Sequence, residues 1–210
     1  MPARRTAAAL CASLALLTGC GSDTGAAPLS AKQAEAVLPD AEALPGWNAY
    51  LDPAAYPLKK AQSIGASRCQ GEGRISCAHV QIAGASGLRR EGEPELSFFI
   101  QTYEDSDAAK SAYPAVWKAW SALVPKARAV RVGDLGEQSD AVAGWGASGA
   151  EGSKGTLVQV RVGDAIMLTS SEALPDVRTT DAFAVKVAGV FAERAEQVRD
   201  GETPSAALKE

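Results

Sequence analysis

From residue 78 to residue 200 the apolar residues recur with two different periods, and the order of those periods confines the chain to one class of fold. Ala78, Val80 and Ile82 alternate with His79 and Gln81, and Leu96, Phe98 and Ile100 alternate again, which is the two-residue repeat of a half-buried strand. The Gly-rich, charged stretch from Gly84 to Pro94 between them predicts a hairpin with a long loop. Ala109, Tyr113, Val116, Trp117, Trp120 and Leu123 then follow at three- and four-residue steps, an apolar helical stripe that needs a sheet to cover it. Asp105 or Ser106 caps that helix, Pro114 inside it predicts a kink or a second start, and Pro125 lies just past its end. Val-Arg-Val-Gly-Asp occurs identically at 130–134 and 160–164, and reads as two strands each leaving into a Gly-Asp turn. The second copy runs on into Ile166 and Leu168, so Gly163-Asp164 is a hairpin turn, and Ala141 to Trp145 adds a further strand. Over residues 180–200 Phe183, Val187, Val190, Phe191 and Val198 share one helical face, which Gly201 ends. Upstream, Ser30 and Gln33 form a capping box for a short helix through Leu38. Pro39, Pro45, Pro53 and Pro57 keep the following stretch irregular, with Trp47 packing on the domain. The order predicts an α+β fold: one antiparallel sheet packed by helices on one face, in a single domain.

The N-terminus carries a different signal. Arg4 and Arg5 precede an apolar run from Thr6 to Thr18, too short to span a bilayer, and the run closes on Leu17-Thr18-Gly19-Cys20. This segment resembles the lipobox of bacterial lipoproteins: an aliphatic residue, two small residues, then Cys. The resemblance implies a diacylglyceryl thioether on Cys20 and cleavage before it, and two acyl chains make a durable anchor. The expected organisation is a signal peptide over 1–19, a lipidated Cys20 with a flexible tether over 20–29, a domain over 30–201 and a frayed tail over 202–210. From residue 21 to residue 29 the tether reaches at most about 30 Å.

The Leu-Pro-rich approach to Trp47, the order strand, helix, strands, helix, and the lipobox together resemble actinobacterial secreted lipoproteins of the sensor-domain or LpqN-like kind. Related domains form the outer portion of some mycobacterial Ser/Thr kinases. Those kinase domains usually carry two disulfides, whereas this chain has cysteines for one, so the resemblance implies a fold and no functional residues. An Ala content near one residue in five, with Arg outnumbering Lys, fits a GC-rich bacterium such as an actinomycete.

Removing residues 1–19 leaves 191 of the 210 residues and takes the net charge from −4 to −6, because the segment holds two Arg and no acid. That charge argues against nucleic-acid binding and against electrostatic attraction to anionic lipid. The 46% apolar content overstates the core, since Ala buries little area. Cys11 leaves with the signal and Cys20 carries lipid, so in an oxidising compartment a disulfide joins Cys69 and Cys77. The rival, a metal site built on these two and His79, falls short of a structural zinc set.

No set of residue types makes an enzyme legible. His79, the single histidine, sits on the polar face of a strand two residues from Cys77, where a surface His is the simpler reading than a catalytic base. Ser148 and Gly149 lack the spacing and the following helix of a nucleophile elbow. The glycines from Gly144 to Gly155 precede a strand, unlike a phosphate-binding loop. Asp105 and Asp107 read as favourable charges at a helix start rather than a calcium loop. Glu91, Glu93 and Glu95 read as a solvated loop, and Lys59-Lys60 and Arg89-Arg90 are too short for a nucleic-acid patch. No metal and no cofactor is expected.

The expectation is a non-enzymatic module, tethered to the outer face of the membrane through Cys20, that engages an envelope protein or a cell-wall component. Its surface would show as exposed apolar side chains around Trp47, Tyr56 or Trp145. The alternative is a sensor for a small hydrophobic or lipid ligand, with a pocket of several hundred Å³ lined by Trp117, Trp120 and Phe191. An enzyme of unrecognised type would need polar groups from distant segments to converge in one cleft.

Overall fold

A computed structural model describes residues 27–67, 69, 77–146 and 151–209. The signal segment, Cys20, Ser148 and Gly149 lie outside the described residues. The elements run α1 (Ala31–Val37), β1 (Asn48–Pro57), α2 (Leu58–Ser63), β2 (Val80–Arg89), β3 (Glu95–Tyr103), α3 (Ser106–Ser121), β4 (Arg128–Ala129), β5 (Gln138–Gly144), β6 (Lys154–Val162), β7 (Ala165–Ala173) and α4 (Asp181–Arg199). All strands join one antiparallel sheet in the order β1-β2-β3-β7-β6-β5-β4. Two meanders, β1 to β3 and β4 to β7, therefore meet at the β3–β7 ladder, in register from Glu95↔Glu172 to Thr102↔Ala165.

The α+β class, the antiparallel sheet and the single domain are as expected; the layering is not. Adjacent residues of a strand face opposite sides of a sheet. On β7, Met167 belongs to a core shared with α1 and α4, whereas Ile166 belongs to a second core shared with α3. Helices cover both faces instead of one. The larger core holds Leu88, Leu96, Phe98, Ile100, Val158 and Val160 against Val187 and Phe191. The rings of Phe98 and Phe191 meet edge to face at 5.5 Å, worth about 0.5–1.5 kcal/mol beyond the area they bury. The smaller core holds Val80, Tyr103 and Ile166 against Ala109, Tyr113 and Val116 of α3, with Cys69 buried among them.

Local rules set several element ends. Ser30 Oγ accepts the Gln33 N–H at 3.3 Å while Gln33 Oε1 accepts the Ser30 N–H at 3.0 Å, the reciprocal capping box expected for α1. Asp105 caps α3 through the Ala108 N–H at 2.7 Å, and Thr180 caps α4 through the Phe183 N–H at 3.2 Å. Gly201, at φ 81°, takes the left-handed turn that ends α4. Gly163 and Asp164 form the two-residue turn between β6 and β7, with Gly163 at φ 56°. α3 runs unbroken through Pro114. Pro114 and Lys110 are both exposed, so water can serve the Lys110 carbonyl that the proline leaves without a helical partner.

Four other expectations change. Gly84 to Arg89 is strand, not turn, because β1 lies against it: a Cβ on Gly84 would stand 2.8 Å from the Ala54 carbonyl oxygen, and Tyr50 covers Gly87. Residues 48–57 are an edge strand despite their prolines, with register shifts on either side of Leu51 that seat Pro53 where no ladder bond is required. The first Val-Arg-Val-Gly-Asp copy follows a two-residue strand, and Val130 and Val132 pack beside the larger core. The tail expected to fray is docked. Gln197 Oε1 accepts the N–H groups of Ser205 and Ala206 at 2.7 and 3.1 Å, the Leu208 N–H reaches the Ala43 carbonyl at 2.7 Å, and Ala206 is buried.

Candidate functional site

Cys69 and Cys77 are bonded to each other. Cys69 is fully buried in the smaller core against α3, and Ser67 Oγ lies 3.0 Å from its sulfur. Cys77 Sγ accepts a hydrogen bond from Gln62 Nε2 at 3.3 Å, which ties α2 to the disulfide.

The four tryptophans do not converge. Trp47 is buried in the larger core and stacks on Phe183 of α4 at 5.9 Å, so its expected place on an interaction surface is corrected: it is core. Trp117 and Trp120 are half-buried on α3, on the other side of the sheet, and Trp120 leans on Phe99 at 5.3 Å. Trp145 is half-buried after β5, with Lys126 Nζ 3.7 Å above its ring. Tyr56 is half-buried beneath Lys60 Nζ at 4.3 Å. The pocket expected between Trp117, Trp120 and Phe191 is not formed, because Phe191 packs on the face opposite α3. The α3 face has instead a cleft of about 10 Å³, room for roughly one water, walled by Phe99, Val116, Trp120, Ile166 and Leu168.

Beneath α3 the sheet is unusually polar. Tyr113 and Gln159 exchange hydrogen bonds: the Tyr113 hydroxyl donates to the Gln159 carbonyl at 3.2 Å, and Gln159 Nε2 donates to the Tyr113 carbonyl at 3.1 Å. The Tyr103 hydroxyl donates to Gln101 Oε1 at 3.3 Å. Burial pushes the phenols of Tyr103 and Tyr113 far above their ordinary range, and Asp140 reinforces the shift at Tyr113, so both act as neutral donors. Arg161, its side chain 5% exposed, donates to Gln138 Oε1 at 2.5 Å and to the Gly163 carbonyl at 3.0 Å, and pairs with Glu137 at 2.6 Å. Arg161 braces the β6–β7 turn, while Gln159 Oε1, beneath α3, is buried without a hydrogen-bond partner.

Of the other expected groups, His79, Asp105 and Asp107 border one open hollow of about 490 Å³ with Glu104 and Ala112, and the rest lie elsewhere on the surface. His79 is exposed and pairs with Glu104 at 2.6 Å. Asp107 lies in the first turn of α3, as its charge favours. Glu93 and Glu95 border a shallow hollow with Glu172, Arg89, Leu174 and Val177 at the end of the sheet. Lys59, Lys60, Arg89, Arg90 and Glu91 are exposed and separate. Among the described residues, no group of three His, Cys, Asp or Glu is placed to hold a metal ion, and no helix is long and apolar enough to cross a membrane.

Besides Arg161, two further buried charges have no counterpart in the sequence analysis. Asp164 is 1% exposed; one carboxylate oxygen accepts the Leu29 N–H at 3.0 Å and the other takes Arg199 Nη1. Burial raises its pKa, against the opposing pull of the Leu29 N–H and Arg199. Arg194 is 6% exposed and, among the described residues, donates to three carbonyls: Ala36 at 2.9 Å, Val37 at 3.2 Å and Ala206 at 3.4 Å. Its signal was present, since Arg194 falls four residues after Val190, inside the apolar stripe of α4. Asp164 gave none, because a Gly-Asp turn ordinarily points its carboxylate into water.

The geometry thus defines a disulfide-bonded α+β domain with a two-sided core. No protein-family model matches the chain, and no curated protein matches it. Among solved structures, the extracellular domain of PknH from Mycobacterium tuberculosis is similar, with 11% identity, a TM-score of 0.48, and 82% of this chain and 99% of that one covered.

Proposed function

We propose that this chain is an extracytoplasmic lipoprotein held on the outer face of the cell membrane by lipid on Cys20, and that its domain is a non-enzymatic interaction module for an envelope protein or a cell-wall component. The observation that carries the compartment is the bonded Cys69–Cys77 pair, a linkage that persists in oxidising surroundings and is rare in cytosolic proteins. The interaction reading is supported by exposed apolar side chains that lie toward one end of the sheet, Tyr50, Leu51, Leu123 and Leu174. The sensor reading has a seat in the apolar cleft against Trp120, but a ligand of several atoms would require α3 to lift from Ile166 and Leu168.

Two experiments test the proposal. Cys20→Ala is expected to abolish lipid labelling and to release the protein from the membrane fraction; a variant that stays labelled and membrane-bound overturns the anchor. Crosslinking in intact cells, followed by mass spectrometry, is expected to recover one dominant envelope partner. Absence of any reproducible partner transfers the weight to the sensor reading and to ligand screening of the domain.

A further inference from the structure

The chain enters the domain at one end of the sheet. Leu29 is buried, and its N–H is held by Asp164 in the β6–β7 turn, whose carboxylate also takes Arg199 at the close of α4. Strand direction assigns the rest of this end. The Tyr103 N–H donates to the Asp164 carbonyl at 2.9 Å, so the close of β3 and the start of α3, with Glu104, Asp105 and Asp107, lie beside it. The opposite end carries the β2–β3 turn, the close of β7 and the start of α4.

Exposed apolar groups follow this polarity. Among the described residues the large exposed ones are Tyr50, Leu51, Ile64, Leu123 and Leu174. Leu51 pairs with Gly87 near the far end of β2, and the Tyr50 hydroxyl lies 2.7 Å from Ser97 Oγ near the start of β3. Leu174 directly follows β7, and Leu123 follows α3. Four of the five thus lie toward the far end.

Nine steps separate Cys20 from Leu29, and a flexible tether of that length has a root-mean-square span of about 17 Å. The eight steps from Glu95 to Tyr103 along β3 span about 26 Å. We infer that the β6–β7 end of the domain faces the bilayer and that the opposite end, with Tyr50, Leu51, Leu123 and Leu174, is held away from lipid. This inference rests on anchoring at Cys20 as proposed above. The near end is apposed to the lipid rather than embedded in it, because Glu104, Asp105 and Asp107 are exposed there and would have to shed their hydration to enter the hydrocarbon.

The test uses the full-length protein, purified from membranes and reconstituted in phosphatidylcholine vesicles that carry a headgroup acceptor dye. Donor dyes are placed singly at Asp107→Cys and Glu202→Cys for the near end, and at Glu91→Cys and Asp176→Cys for the far end. Energy transfer from both near-end sites is expected to exceed that from both far-end sites by at least about twofold, given the roughly 26 Å offset. Equal or inverted transfer in vesicle-bound protein overturns the orientation while leaving the anchor intact. Protein that does not stay with the vesicles overturns the anchor, and the orientation falls with it.

Discussion

Arg194→Met removes a guanidinium that three carbonyls share while keeping most of the aliphatic stem. In the native domain Arg194 reaches the Ala36 and Val37 carbonyls at 2.9 and 3.2 Å and the Ala206 carbonyl at 3.4 Å. Ala36 and Val37 close α1, whose last turn holds no basic residue of its own, so α4 supplies the cation that this helix end favours. Desolvation lowers the pKa of Arg194, and Asp40 and Glu42 oppose that shift. A hydrogen bond from a charged donor contributes about 1.5–3 kcal/mol net, and a buried group left unpaired costs about 1–3 kcal/mol. Two well-formed bonds and one long one give an expected destabilisation of about 4 kcal/mol. For a domain of this size that lowers Tm by about 8–16 °C, read by circular dichroism or calorimetry. Hydrogen exchange adds an independent readout: the amides of residues 205–208, docked against Gln197 and Ala43, should lose protection along with α1. A Tm within about 2 °C of wild type would mean that water replaces the guanidinium at the three carbonyls, and would refute the argument.

Replacing Cys69 and Cys77 together by Ala is expected to cost about 2–3 kcal/mol in denaturant unfolding by the chain-entropy model, and a cost below about 0.5 kcal/mol would show that the smaller core closes without the bond. Asp164 titrates with a raised folded pKa, so it favours the folded state below the unfolded carboxyl range and that contribution is lost as pH rises through the folded value. Wild type should therefore gain stability relative to Asp164→Asn between pH 7 and pH 3, and a difference that is flat or of the opposite sign contradicts the burial account. Gly84→Val should cost more than Gly87→Ala in thermal unfolding, because at Gly84 the obstacle is the β1 backbone whereas at Gly87 it is the end of a Tyr50 side chain that can swing into water; equal costs would place the obstacle elsewhere.

Much of the fold was legible because local rules and tertiary packing agree. The Ser30–Gln33 capping box, the Gly163-Asp164 turn, the α4 stripe and its Gly201 stop all formed as their residues dictate. The misses share one cause, which is that the deciding contact came from a distant segment. Gly84 and Gly87 look like turn residues until β1 is laid against them, and the prolines of β1 look like breakers until that strand is placed at an edge. Residues 202–209 look like a free tail until Gln197 and Ala43 take up their amides. At the candidate surface, Trp47 is taken up by Phe183 and the larger core; the place of Arg194 inside the α4 stripe marks it for burial, whereas nothing nearby in sequence explains burying Asp164.

By itself the sequence determined the alternation of strand and helix, the caps, the antiparallel class and the cysteine pair, since each is set by neighbours within a few residues or by elimination. The tertiary structure decided which face each helix covers. An apolar stripe states that a helix needs a sheet but not which of its two sides, and the choice between Ile166 and Met167 as partner belongs to the path of the connections after β3 and β7. The structure also decided that the chain enters beside the β6–β7 turn, because the bond from the Leu29 amide to Asp164 joins residues 135 positions apart.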